Sequence, residues 1–504
     1  MKLLKKSFAL LLALLLVLAL GTTAFAGEES ANTYSITINS ATGKYTAYQI
    51  FAGDLSVKDN TKTLSNVTWG SGVEEFAYND KTVAADIAAS LENADAAAAD
   101  AFAAEAAKHV TGTGTSATAS SGTATISGLQ AGYYVVINSE VGTQGSYSKY
   151  MVQVVGDVTV DSKSDVPSFE KKVKDTNDST GATSDWQDSA DYDIGDAVPF
   201  KLTGTVASNY ADYKTYYFAF HDKEEKGLTF NKDSVKVSID GTEVNSGYTI
   251  VTAGLTDGCT FHVVFSDLKK TAAKAGSKIT VEYTSTLNDS AVLGSTGNVN
   301  KAKLQFSNNP NSDQGGESGP TGETPWDNVI VFTYKVVVNK YANSVAEDNK
   351  LNGAGFTLYK NIKNGSTTEK TKIAEIIGTD SSVFTFKGLD DGEYILSETK
   401  TPAGYNTIKD ITFTVVADHT ITWGSEARTE LLTSLSGNAA SGEITFAADK
   451  SEGSLSTNVI NKSGSTLPST GGMGTTLFYV LGGLLVVGAG VVLITKKRMS
   501  TTED

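Results

Sequence analysis

Between residues 34 and 461, apolar and polar positions alternate in short runs broken by Gly, Asn, Asp and Ser. This is the pattern of strands with one buried face. The run 34–51 breaks at Gly43 and predicts a strand pair. Further strands are predicted over 128–138, 150–160, 197–202, 216–220, 234–239, 259–265, 278–286 and 301–307. The period changes at 81–110, which is Ala-rich. Val83, Ile87, Leu91 and Phe102 form a thin apolar stripe there, predicting one or two helices between strands. Two runs are continuously apolar instead. The first, 8–20, follows Lys2, Lys5 and Lys6 and precedes Ala24-Phe25-Ala26, predicting a secretory signal peptide over 1–26. The second, 477–494, is long enough to cross a bilayer, and Lys496, Lys497 and Arg498 behind it would hold the tail on the cytoplasmic side.

More than 430 residues between these ends exceed one hydrophobic core. The polar stretch 161–175, with Pro167, and the Gly/Pro/Asn/Ser-rich loop 308–328 divide them. The expected organisation is 28–160, 161–334 and 335–463, followed by a C-terminal tail at 464–504. Strand lengths and turn spacing fit immunoglobulin-like sandwiches. The predicted fold is therefore all-β, three tandem sandwiches with a helical insertion in the first.

The net charge of −16, with no basic patch, argues against nucleic-acid binding. Cys259 is the single cysteine, so no intrachain disulfide can form, and it reads as a buried strand residue. His109, His221, His262 and His419 show no metal-ligand spacing. No nucleophile elbow, phosphate loop or HExxH is present. Neither a cofactor, a metal nor turnover chemistry is expected.

Residues two apart share a face of a strand. Phe332, Tyr334, Val336, Val338 and Lys340 share one parity, which carries a lysine inward behind four apolar positions. Tyr394, Leu396 and Glu398 share another, as do Val459 and Asn461. A buried lysine loses its proton readily and a buried carboxyl keeps its own. A neutral amine can then attack the asparagine carbonyl while the acid shuttles the proton, leaving an amide cross-link and ammonia. The frame G-L-x-x-G-x-Y recurs at 128–134 and 388–394, placing Asn138 where Glu398 stands. The first domain is thus expected to lack a cross-link. In the second, Phe169, Lys171 and Val173 share a face, as do Phe218, Phe220 and Asp222, and Leu304, Phe306 and Asn308. Lys172 and Asn309 stay open alternatives, because a bulge would switch parity.

YILSETKTPAGY (394–405) resembles the E-box of collagen-adhesin B-type (Cna-B) domains, and VVVNKYA (336–342) that module's opening strand. The resemblance implies a Lys340–Asn461 isopeptide assisted by Glu398. FAFHDKEEKGLTF (218–230) resembles the middle domain of Gram-positive major pilins, implying Lys171 and Asn308 as the linked pair and Asp222 as the acid. LPSTG (Leu467, Pro468, Ser469, Thr470, Gly471), the apolar run and the basic end together resemble a sortase sorting signal. A sortase would then cleave after Thr470 and pass its acyl group to an amine.

Taken whole, the chain resembles the shaft pilins polymerised by a class C sortase. Identical subunits and peptidoglycan are the implied partners, with accessory pilins and a host surface ligand left open. The implied location is the Gram-positive cell wall. The corresponding acceptor lysine is Lys163, although Asp-Ser-Lys stands where that family has Tyr-Pro-Lys; Lys172 and Lys174 stay open. The alternative reading is a monomeric wall-anchored adhesin or an accessory pilin.

Overall fold

The computed structural model describes residues 32–464 and 473–499, apart from 40, 59–60, 93, 142–143, 163–164, 313, 315 and 440–443. The predicted signal peptide, Lys163 and the LPSTG motif lie outside the described residues. Three β units follow one another along the chain.

In the first unit, Tyr34–Asn39 lies between Thr123–Leu129 and Val158–Asp161 in a three-stranded sheet. Lys44–Lys58, Gly132–Glu140 and their neighbours form the opposing sheet. The 34–51 run is therefore not a hairpin; its halves belong to opposite sheets. Alternation marks both strands but cannot distinguish a hairpin from an arch. Gly43 makes the arch possible. Its φ is +79°, and a side chain there would collide with the Glu140 carbonyl. The helices Ala84–Ser90 and Ala96–Ala106 cover the outer face of the second sheet. That sheet is thus buried on both sides, which is why GYYVVIN reads as a continuous apolar run. Tyr134 and Val136 pack inside the sandwich, and Tyr133 and Val135 under the helices. Ile87, Leu91 and Phe102 of the predicted stripe are buried, but Val83 caps the first helix and is exposed. The predicted strand over 150–160 is two strands, Lys149–Val154 and Val158–Asp161, in different sheets.

The middle unit packs a seven-stranded sheet on a five-stranded one. The first contains Phe218–Glu224, Phe261–Phe265, Asn298–Ser307 and Asp327–Phe332. The second contains Ser168–Val173, Ala197–Thr205 and Lys278–Leu287. The third unit packs four strands on five. Its first strand, Tyr334–Ala342, runs parallel to its last, Ser454–Asn461, while Gly392–Lys400 lies in the facing sheet. A parallel pair cannot be closed by a tight turn, so the two strands that meet here are the two ends of the unit.

Candidate functional site

Each of the last two units buries a lysine. In the third, Lys340 and Asn461 come from neighbouring strands, with Val459 opposite Lys340 and Asn461 opposite Ala342. Lys340 Nζ lies directly on Asn461 Oδ1. Glu398 enters from the facing sheet. Its Oε1 accepts from Asn461 Nδ2 at 2.8 Å and stands 3.3 Å from Lys340 Nζ. The backbone N–H of Ile408 donates to Oε2 at 3.0 Å, holding the carboxyl in place. Lys340 and Asn461 are fully buried, and the Phe356 ring lies 5.2 Å from Nζ. Burial pulls the Lys340 pKa down to about 8 against the opposing influence of Glu398. A minor neutral-amine fraction, about a tenth at pH 7, is therefore available, far above that of an exposed lysine. One carboxyl oxygen touches both the would-be nucleophile and the amide nitrogen that would leave.

The middle unit builds a related site divided differently between its sheets, with the lysine on one and the acid and asparagine on the other. Lys171, from the five-stranded sheet, reaches Asp222 of the seven-stranded sheet at 2.5 Å. Both are fully buried. The Tyr283 hydroxyl accepts from Lys171 Nζ at 2.8 Å and from Asn300 Nδ2 at 2.9 Å, and donates to Asp222 at 2.7 Å. Its one donor and two acceptor positions are all used. Burial lowers the Lys171 pKa, with Asp222 opposing, and raises that of Asp222, with Lys171 opposing. Both shifts favour the neutral pair. Glu224, two residues along the same strand face, is raised to about 8 by burial and by Asp222. Lys172, the alternative lysine, instead pairs with Asp188 at 2.7 Å near the surface.

Asn308 does not join this site. Asp222 pairs with Ala302, so Asn308 stands six residues farther along the strand direction, on the order of 20 Å away. Its side chain donates to the Gly145 carbonyl at 3.2 Å, at the contact with the first unit. Asn309 bonds locally to Asn311 N. The asparagine that shares the Tyr283 hydroxyl with Lys171 is Asn300, which has the same parity as Asn308. Parity therefore identified the face but not the height along it. Asp222 Oδ1 and Asn300 Oδ1 are both buried without a hydrogen-bond partner.

In the first unit, Asn138 occupies the position that Glu398 has in the third: Tyr45 faces the former and Phe356 the latter. Its amide donates to the Thr42 and Ser146 carbonyls. Cys259 is not a strand residue; it is half-buried in the loop before Phe261–Phe265. At the C-terminus, the helix Met473–Met499 contains a 21-residue segment, Phe478–Arg498, long and apolar enough to cross a membrane, with Lys496, Lys497 and Arg498 in its last turn.

Three family models match the chain: a Gram-positive pilin backbone subunit 2, Cna-B-like domain at 194–310, a SpaA prealbumin-like fold domain at 335–427, and the LPXTG cell wall anchor motif at 460–500. The trypsin-resistant surface T6 protein of Streptococcus pyogenes serotype M6 is 25% identical over 399 residues, spanning 67% of this chain and 70% of its own. Among solved structures, the T6 backbone pilin of serotype M6 S. pyogenes superposes with a TM-score of 0.55 at 18% identity. It covers 87% of this chain and 100% of the pilin. The full-length major pilin SpaD of Corynebacterium diphtheriae superposes with a TM-score of 0.53 at 19% identity, covering 86% and 98%. By its matched modules and their order, the chain is a homologue of the Gram-positive backbone pilins, anchored in the cell wall at the bacterial surface.

Proposed function

We propose that the chain is the shaft subunit of a covalent pilus, joined to the next subunit through Thr470 and hardened by two self-made Lys–Asn amides. The observation that carries the internal chemistry is the meeting of Lys340, Glu398 and Asn461 in one dry core, on the strand that leads to the anchor. Neutral Lys340 Nζ attacks Asn461 Cγ. Glu398, placed at both nitrogens, takes the proton from the amine and gives it to the departing amide nitrogen. Ammonia leaves, and an amide joins the first and last strands. In the middle unit, Lys171 attacks Asn300 with Asp222 as the shuttle. Asp222, held neutral by burial, is the acid that would supply a proton to polarise the asparagine carbonyl. No bond is expected in the first unit, where Asn138 replaces the acid.

Intact mass separates the two candidate asparagines. The wild-type chain should be lighter than its sequence by two ammonia molecules, and Asn300→Ala by one. Asn308→Ala should still lose two; a single loss there would return the role to Asn308.

Between subunits, a sortase would cleave after Thr470 and transfer its acyl group to Lys163 of an identical chain, with peptidoglycan taking the last one. On the strand leading to Lys163, Val158 and Val160 face the sandwich while Thr159 and Asp161 are exposed. Blots of wall extracts should show a ladder of high-mass species that collapses in Lys163→Ala. A ladder that persists moves the acceptor to Lys172 or Lys174. A single band in wild type would favour the adhesin reading.

A further inference from the structure

The middle unit contains a second cluster of reactive side chains, on the opposite strand face from Asp222. Antiparallel pairing sets His221 directly across from His262, and their ring centroids are 3.7 Å apart. Asp257 reaches both from the preceding loop: its Oδ2 is 2.8 Å from His221 Nδ1 and 2.9 Å from His262 Nε2. Gly258, at φ +76°, turns the chain so that Cys259 follows Asp257 into the cluster. One ligand atom from each of His221, Asp257, Cys259 and His262 lies within 4.8 Å of the others.

The surroundings orient these groups. Gln305 Nε2 donates to Thr321 Oγ1 at 3.0 Å, which directs Gln305 Oε1 at His221 Nε2, 3.1 Å away. Nε2 therefore carries the hydrogen, and Nδ1 turns its lone pair on the Asp257 carboxylate. Two acceptors facing each other at 2.8 Å form an arrangement that a bound cation would satisfy. The Cys259 N–H donates to Asp257 Oδ1 at 3.1 Å, so Oδ2 is the oxygen turned towards both imidazoles. Lys303, which pairs with His221 from the neighbouring strand, is engaged by Glu323 at 2.6 Å.

We propose that His221, Asp257, Cys259 and His262 form a structural zinc site. Two nitrogens, one thiolate and one carboxylate make a closed four-ligand set of the kind Zn²⁺ prefers, at about 2.0–2.3 Å from the ion. Gln305 is the outer partner that fixes the His221 tautomer. The thiol gives up its proton to solvent as the sulfur–zinc bond forms, so the two anionic ligands balance the ion's charge. The ion joins the strand carrying Asp222 to the loop before its neighbour. It also gives a role to the chain's single cysteine, which has no disulfide to make.

The test uses the full chain in detergent, stripped with a chelator and titrated with Zn²⁺ against a chromophoric competitor, then with Co²⁺ as a spectroscopic probe. One equivalent should bind, with a thiolate-to-cobalt charge-transfer band and the ligand-field bands of tetrahedral cobalt. Cys259→Ser should abolish the charge-transfer band while leaving the metal-free unfolding temperature unchanged. Gln305→Ala, which touches no metal, should weaken zinc binding roughly 10–100-fold. Absence of stoichiometric binding would overturn the proposal. So would zinc binding that is indifferent to both Cys259→Ser and His262→Ala, since the ion would then sit elsewhere.

Discussion

Lys340→Met is expected to lower the unfolding temperature of the third unit by roughly 20 °C or more. Methionine keeps most of the buried volume and removes the reacting nitrogen, with sulfur in place of one methylene, so packing changes little. What would disappear is the proposed cross-link between residues 121 positions apart. By the loop-closure model developed for disulfides, constraining a loop of that length is worth on the order of 4–5 kcal/mol. That is a large share of the roughly 5–15 kcal/mol that stabilises a whole domain. Calorimetry of the wild type and variant, with intact mass to show the retained ammonia, checks the expectation. Equal unfolding temperatures with one ammonia regained would mean that the amide forms but contributes nothing to stability. An equal ammonia deficit in the two chains, each against its own sequence mass, would mean that Lys340 forms no amide at all.

Asp222→Asn is expected to stop the middle cross-link and leave Lys171 as a buried free amine. The side chain keeps its shape and hydrogen-bonding capacity but cannot shuttle a proton. The variant should retain one more ammonia than wild type, and its middle unit should unfold at a lower temperature. A pH signature distinguishes this from a general loss of packing. Burial holds the Lys171 pKa below its ordinary value of 10.5, so the unfolded variant binds more protons than the folded one across that interval. Stability must then rise with pH up to about 10.5. If Lys171 of the wild type is an amide, as proposed, it contributes no such slope, and the difference between the two curves should climb. If Asp222→Asn still loses both ammonia molecules, the shuttle is Glu224, whose raised pKa and position beside Asn300 make it the competing acid.

Alternation made much of this legible, and its failures have one cause. Lys340, Glu398 and Asn461 each sit at the end of an apolar parity run, so period two was enough to bury all three. Asn298, Asn300 and Asn308 share one face of one strand. Only the register, with Asp222 opposite Ala302 and Glu224 opposite Asn300, decides which of them joins the carboxyls and Tyr283. Register is a property of two strands, and no single run contains it. The same limit hid the His221–His262 pair, far apart in sequence and adjacent only through pairing. Gly43 failed differently, because a left-handed glycine marks a turn without saying whether the chain returns to the same sheet.

The parallel pairing of Tyr334–Ala342 with Ser454–Asn461 has a consequence for how far the molecule can stretch. Without a covalent tie, a unit that unravels under tension releases its full contour. The chain between residues 340 and 461 amounts to 121 steps, on the order of 400 Å when extended. An amide between these two side chains removes that length from the path between the unit's ends. Tension then runs from Asn461 straight into Lys340 and back along a single strand. A filament of such units would be nearly inextensible through each third unit, even if every hydrogen bond inside it broke.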